Sequence, residues 1–287
     1  MSKEFDLSRF AYKSGNSSTY ISKRSATEIS LPTTRKSTLS RSSTMEDTST
    51  VKKRKHGYEP PESFAHLEGV PDYILEGSDL MIVGINPGRT SSIRGHHFAH
   101  PSNSFYACLY ESGLTSRKLR PDEDYTLPEF GYSITNLNSR PTVMQSQLSK
   151  AESRASVPEL VKKILRCKPK LVAFIGKAIW EDCEWVFKDA IKGFDSKAIK
   201  RTKTSKEKTG DCDESAGFLL QNYKIVHDDG SQSLFFTLPS TSGLVASYQK
   251  PAKVRAFTRC RETLEKLKCS YLDTTKMFTI DVEKLLD

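Results

Sequence analysis

Leu80-Met81-Ile82-Val83-Gly84-Ile85-Asn86-Pro87-Gly88 is the stretch on which the fold turns. A short apolar run bounded by a charged segment and a Gly/Pro loop reads as a buried strand that ends in a sharp turn. Leu171-Val172-Ala173-Phe174-Ile175-Gly176 repeats the pattern, and its glycine leads into a helical spacing of Ile179, Trp180, Val186 and Phe187. Between the two runs, Phe105, Cys108, Leu109 and Ser112 share one face of a helix expected over about 102–113, with Gly113 placed to cap it. Leu160, Val161, Ile164 and Leu165 mark an amphipathic helix over 156–167, and Gly131 to Leu137 alternates like a strand. Further on, Tyr223 to His227 and Ser233 to Leu238 predict two strands around an Asp-Asp-Gly turn, and Lys250 to Leu267 a closing helix. Strands alternating with helices predict an α/β fold of three α/β/α layers around a mainly parallel central sheet. Ligands of such sheets sit in loops at the carboxyl ends of strands, the position of the loops after Val83 and Leu238.

The flanks of this region have a different character. From Ser14 to Thr50 about half of the positions are Ser or Thr, too few apolar groups to offset the entropy of ordering, so residues 1–57 predict a disordered tail. That tail holds twelve Lys/Arg against five Asp/Glu, +7 of the chain's +9, and leaves only +2 for residues 58–287. The body must therefore recognise a polyanion by local geometry more than by bulk charge. The run Lys52-Lys53-Arg54-Lys55 suits nuclear import or a nonspecific phosphate-binding arm, and the expected compartment is the nucleus. Residues 58–287 are expected to form one catalytic domain, with the charged, threonine-rich stretch 197–214 as a surface insertion. No run of about 18 apolar residues predicts a membrane span, and the N-terminus lacks the apolar core of a secretory signal. Six scattered cysteines without a C-x-x-C pair indicate free thiols, with neither zinc knuckle nor disulfide framework.

The loop after the first strand runs on to Gly95-His96-His97-Phe98-Ala99-His100-Pro101-Ser102-Asn103-Ser104-Phe105. Its glycine spacing is not that of a phosphate-binding loop, and no Gly-Lys-Ser/Thr follows. The His-x-Glu and Pro-Cys-x-x-Cys pairs of a zinc deaminase are absent as well. What remains is a strand-end turn that presents one amide, followed by an aromatic beside histidines. The stretch resembles the first motif of the mismatch-specific uracil/thymine-DNA glycosylases, a branch of the uracil-DNA glycosylase superfamily with fungal and other eukaryotic members. Three further segments recur in that family's order: 131–142 (GYSITNLNSRPT), 171–177 (LVAFIGK) and 238–244 (LPSTSGL). The similarity runs from about Gly69 to Leu267.

The resemblance implies a monofunctional DNA glycosylase that flips uracil, or thymine mispaired with guanine, out of the duplex and hydrolyses its N-glycosidic bond. Breaking that bond builds positive charge on the sugar and negative charge on the departing base. Asn86 takes no proton at pH 7, but its side-chain oxygen can orient a water beneath the anomeric carbon, which is positioning and not base catalysis. An aspartate there would add about 10²–10⁴-fold through base catalysis, so Asn86 implies a slow enzyme that depends on a good leaving group. Phe98 matches the aromatic that stacks on the flipped base; Ile85 and Ser91 line the pocket, Ser91 near the C5 edge. His97 either tunes the water or the leaving base, or satisfies a loop carbonyl; His96 and His100 are read as structural. Asn136 and Thr142 either position base or water, or make ordinary loop hydrogen bonds. Ser240 and Ser242 imply phosphate contacts, Gly243 a main chain that reaches the orphaned guanine, and Leu244 a wedge inserted into the stack.

Double-stranded DNA with a mismatched or damaged base is the expected partner, bound by a monomer without metal or organic cofactor. Two alternatives stand beside this reading. One is a glycosylase of broader scope that also removes hypoxanthine or adducted bases; the other is a DNA-binding module without catalysis.

Overall fold

The computed structural model describes residues 66–191, 217–245 and 247–286, so the tail 1–57 with its lysines and the insertion 197–214 lie outside the described residues. Among the described residues, six strands form one sheet in the order β2-β1-β3-β5-β4-β6. These are β1 (Leu80–Gly84), β2 (Tyr132–Asn136), β3 (Leu171–Ile175), β4 (Leu220–Val226), β5 (Gln232–Leu238) and β6 (Phe278–Thr279). Within it β2, β1, β3 and β5 run parallel, and β4 returns antiparallel to β5 across the Asp228-Asp229-Gly230 turn. The α/β class and the mainly parallel sheet expected from the sequence are both observed.

Two-residue periodicity divides the strands between two cores. Leu80, Ile82, Ile134, Leu171, Ala173, Leu234 and Phe236 face α2 (Phe105–Glu111) and α6 (Lys250–Lys268), which bring Phe105, Leu109, Ala256 and Phe257. Met81, Val83, Val172, Phe174 and Phe235 face the other way, onto Leu160, Val161 and Ile164 of α4 (Val157–Cys167) and Trp180, Cys183 and Phe187 of α5 (Lys177–Lys188). Helices therefore cover both faces, which is why β1 and β3 read as continuous apolar runs.

Gly131 to Leu137 departs from the expected alternation, because all five residues of β2 are buried. Its outer edge is covered by the preceding segment, where Tyr73 and Ile134 exchange both backbone hydrogen bonds at 2.9–3.0 Å. The helix over 102–113 is shorter than its spacing suggested. Gly113, at φ +79°, follows it in a Schellman arrangement: its N–H bonds Tyr110 O at 3.0 Å and the Leu114 N–H bonds Leu109 O at 3.0 Å. Elements without a sequence expectation are α1 (Arg89–Arg94), α3 (Lys150–Ala155), α7 (Glu283–Leu286), β6 and two 3₁₀ segments, Pro121–Phe130 and Gln145–Gln147. Chain order matters for function at β1, since β1 connects to β2 on one side while β3 lies on the other. The crevice above such a reversal is where ligands of open α/β sheets bind.

Candidate active site

A cleft of about 510 Å³ opens at the carboxyl ends of β1, β2, β3 and β5. It is lined by Ile85, Asn86, Ser91, His97, Phe98, Asn136, Thr142, Ser240, Ser242 and Leu244. Segments far apart in sequence thus meet in one place. The lysine-arginine run 52–55 lies outside the described residues.

Asn86 sits where β1 ends. Its Nδ2 donates to the Arg140 carbonyl at 2.9 Å and to Thr142 Oγ1 at 2.7 Å. A carbonyl can only accept, so these bonds fix which end of the amide is nitrogen. Asn86 Oδ1 has no protein partner among the described residues and remains an acceptor in a cleft-lining side chain. Arg140 is itself held by two hydrogen bonds to Glu152 at 2.7 and 2.9 Å, and the Thr142 N–H bonds Pro87 O at 3.1 Å. The β1 and β2 loops are therefore stitched together around the amide.

His97 is buried and both of its ring nitrogens are engaged within the protein. Nε2 lies 2.9 Å from the Pro71 carbonyl and must carry the proton; Nδ1, 3.4 Å from Asn136 Nδ2, then accepts. Burial holds the ring's pKa below its ordinary value, so the neutral imidazole is the native form. These are the bonds of a side chain that satisfies a loop carbonyl and orients Asn136. The next residue, Phe98, has φ +52°, an uncommon conformation for a bulky side chain. Its ring stacks on Phe105 with centroids 4.1 Å apart, and its half-buried body lines the cleft. Ser91 Oγ accepts the Ala99 N–H at 3.1 Å, so this hydroxyl closes the loop that presents Phe98.

The β5 loop packs directly against the β1 loop. Ser104 donates from N and Oγ to the Thr241 carbonyl at 3.0 and 3.2 Å. A Cβ on Gly243 would collide with the Ser102 side chain and stand 2.8 Å from its carbonyl oxygen. Close packing against Ser102 therefore already requires glycine there. The Ser242 carbonyl accepts from buried Lys253 at 3.4 Å and Ser242 Oγ accepts the Leu244 N–H at 3.2 Å. Leu244 itself is 78% exposed at the rim.

With four ordered segments converging on one cleft, the comparison with known proteins becomes decisive: the profile of the uracil DNA glycosylase superfamily matches residues 71–267. The chain belongs to this superfamily. A "G/U mismatch-specific uracil DNA glycosylase" of Schizosaccharomyces pombe (strain 972 / ATCC 24843) is 43% identical over 133 residues, which cover 45% of this chain. The matched part spans 40% of that relative's length. Sequence reasoning had not singled out the cleft-lining Arg89, Val143, Gln145 and Thr241 of this superfamily member, nor the buried Asp124 behind His97. Only their placement in the fold reveals them; Asp124 stands in a 3₁₀ segment with no motif of its own.

Proposed function

We propose that the protein is a monofunctional DNA glycosylase that flips uracil, and thymine, opposite guanine and hydrolyses the N-glycosidic bond to leave an abasic site. The observation that carries this reading is the anchored amide of Asn86. With Nδ2 bound to Arg140 O and Thr142 Oγ1, the open Oδ1 is the acceptor for a water directed at the anomeric carbon. Among the described residues that line the cleft none is a carboxylate, which suits a base that departs as a stabilised anion. Phe98 stacks on the flipped pyrimidine, an interaction worth about 1–3 kcal/mol. Exposed Leu244 fills the gap in the stack and offsets part of an unstacking cost of a few kcal/mol. The activity for which the Schizosaccharomyces pombe relative is named supports uracil opposite guanine as the first substrate to test.

The basic residues 1–57 act, in this reading, as an electrostatic tether and nuclear import segment ahead of a catalytic domain 58–287 that works as a monomer. The test is alkali-revealed strand scission on duplexes with G·U, G·T or hypoxanthine, and on single-stranded uracil. Scission of G·U first and G·T more slowly is expected. Absence of scission on every substrate would leave only a noncatalytic DNA-binding module, and equal cleavage of single strands would remove the mismatch requirement.

A further inference from the structure

Phe98 holds its left-handed backbone without a glycine's freedom, so something must over-determine the residue before it. Every polar group of His97 is in fact occupied. Its N–H donates to Asp124 Oδ2 at 2.8 Å, its carbonyl accepts the Tyr106 hydroxyl at 2.8 Å, and its ring spans Pro71 O and Asn136. Asp124 is fully buried, and its other oxygen accepts from His96 Nδ1 at 3.0 Å. One carboxylate therefore binds two consecutive residues of the loop that ends in Phe98. It comes from the 3₁₀ segment Pro121–Phe130, outside the four segments that form the cleft, and it does not line the cleft itself.

We propose that Asp124 is a positioning residue for base excision, acting through the His97 backbone N–H and the His96 ring to hold the Phe98 ring in stacking position. The proposal rests on the reading of Phe98 as the platform for the flipped base. A buried carboxylate whose two oxygens are both in use is costly to leave unpaired, so the loop cannot relax without breaking charge-assisted bonds. Tyr106 completes the clamp from the carbonyl side of His97. Phe98 is then fixed between the clamp on its N-terminal side and Ser91 Oγ, which binds the Ala99 N–H, on the other.

The experiment is a double-mutant cycle on the full chain. Asp124→Ala, Phe98→Ala and the double variant are compared with wild type in affinity for two duplexes. One carries a 2′-fluorinated deoxyuridine opposite guanine, which resists cleavage; the other carries an abasic-site analogue, which has no base to stack. Wild type should prefer the base-bearing duplex, and Asp124→Ala should lower that preference by about fivefold or more, the low end for one base–aromatic stack. In the Phe98→Ala background the same substitution should change it by less than about twofold. Asp124→Asn, which keeps an oxygen for the His97 N–H, should restore most of the preference. Tyr106→Phe, which breaks the clamp without touching a charge, should follow the Asp124→Ala pattern and serves if the alanine variant fails to fold. Equal losses on both duplexes, or additive effects in the cycle, would overturn the role of Asp124. A wild type that neither prefers the base-bearing duplex nor cleaves deoxyuridine would instead overturn the reading of the site.

Discussion

At the residue scale, the chemistry depends on which atoms are already committed. Asn86 spends its amide nitrogen on Arg140 O and Thr142 Oγ1 and keeps its oxygen. This assigns Thr142 a concrete contact that the sequence left open between pocket chemistry and loop bonding. The His97 ring likewise has concrete contacts, the Pro71 carbonyl and Asn136. Burial depresses its pKa, Asp124 and Asp72 oppose that shift and Lys163 reinforces it. Between the depressed native value and the ordinary value near 6.5, the unfolded chain binds a proton that the native ring refuses. His97 therefore contributes stability that is complete above about pH 6.5 and is lost as pH falls below it. Buried His227 is depressed in the same direction and adds to the effect. Urea midpoints should fall between about pH 7.5 and about pH 5.5, and the fall should shrink in His97→Gln. A midpoint drop of the same size in the variant would show that the ring does not titrate this way.

At the element scale, the runs after which β1 and β3 could be drawn were legible because both faces of those strands are apolar. The β4–β5 hairpin was legible from its Asp-Asp-Gly turn. What stayed hidden has a common physical cause. The 3₁₀ segment around Asp124 and the cover that Tyr73 gives to β2 are long-range arrangements, invisible to local periodicity. Gly243 shows the same limit: beside the main-chain approach to a guanine expected from the sequence, the structure presses it against Ser102, a contact that local sequence does not reveal. Gly243→Ala must push the β5 loop away from the β1 loop, since one of the colliding atoms is backbone. Excision should drop about tenfold or more, as expected for angstrom-scale misplacement near a reacting centre. Ser102→Gly should restore part of the loss by removing the side chain from the collision. Wild-type excision rates in Gly243→Ala would show that the two loops need not touch.

At the scale of the whole molecule, charge and geometry are divided between segments. The +7 of residues 1–57 contrasts with +2 for the rest, and the proposed function accordingly gives nonspecific attraction to DNA to the tail and selection to the cleft. Deleting residues 1–57 should weaken duplex binding at low salt and flatten the dependence of log Kd on log salt, by about 0.9 for each phosphate that the tail neutralises. The single-turnover excision rate at saturating protein should stay within about twofold, because the tail supplies affinity and no group at the reacting centre. An unchanged salt slope would place the electrostatic attraction on the body of the protein instead. In the proposed function, excision depends above all on a water directed by Asn86 Oδ1. The most direct measurement of that dependence is single-turnover cleavage of a G·U duplex at saturating protein, wild type beside Asn86→Ala. The variant should keep its affinity for the duplex while the rate falls by about 10²-fold or more, the scale on which removal of one positioning group slows a reaction. A variant that cleaves as fast as wild type would contradict a water-holding role for Asn86.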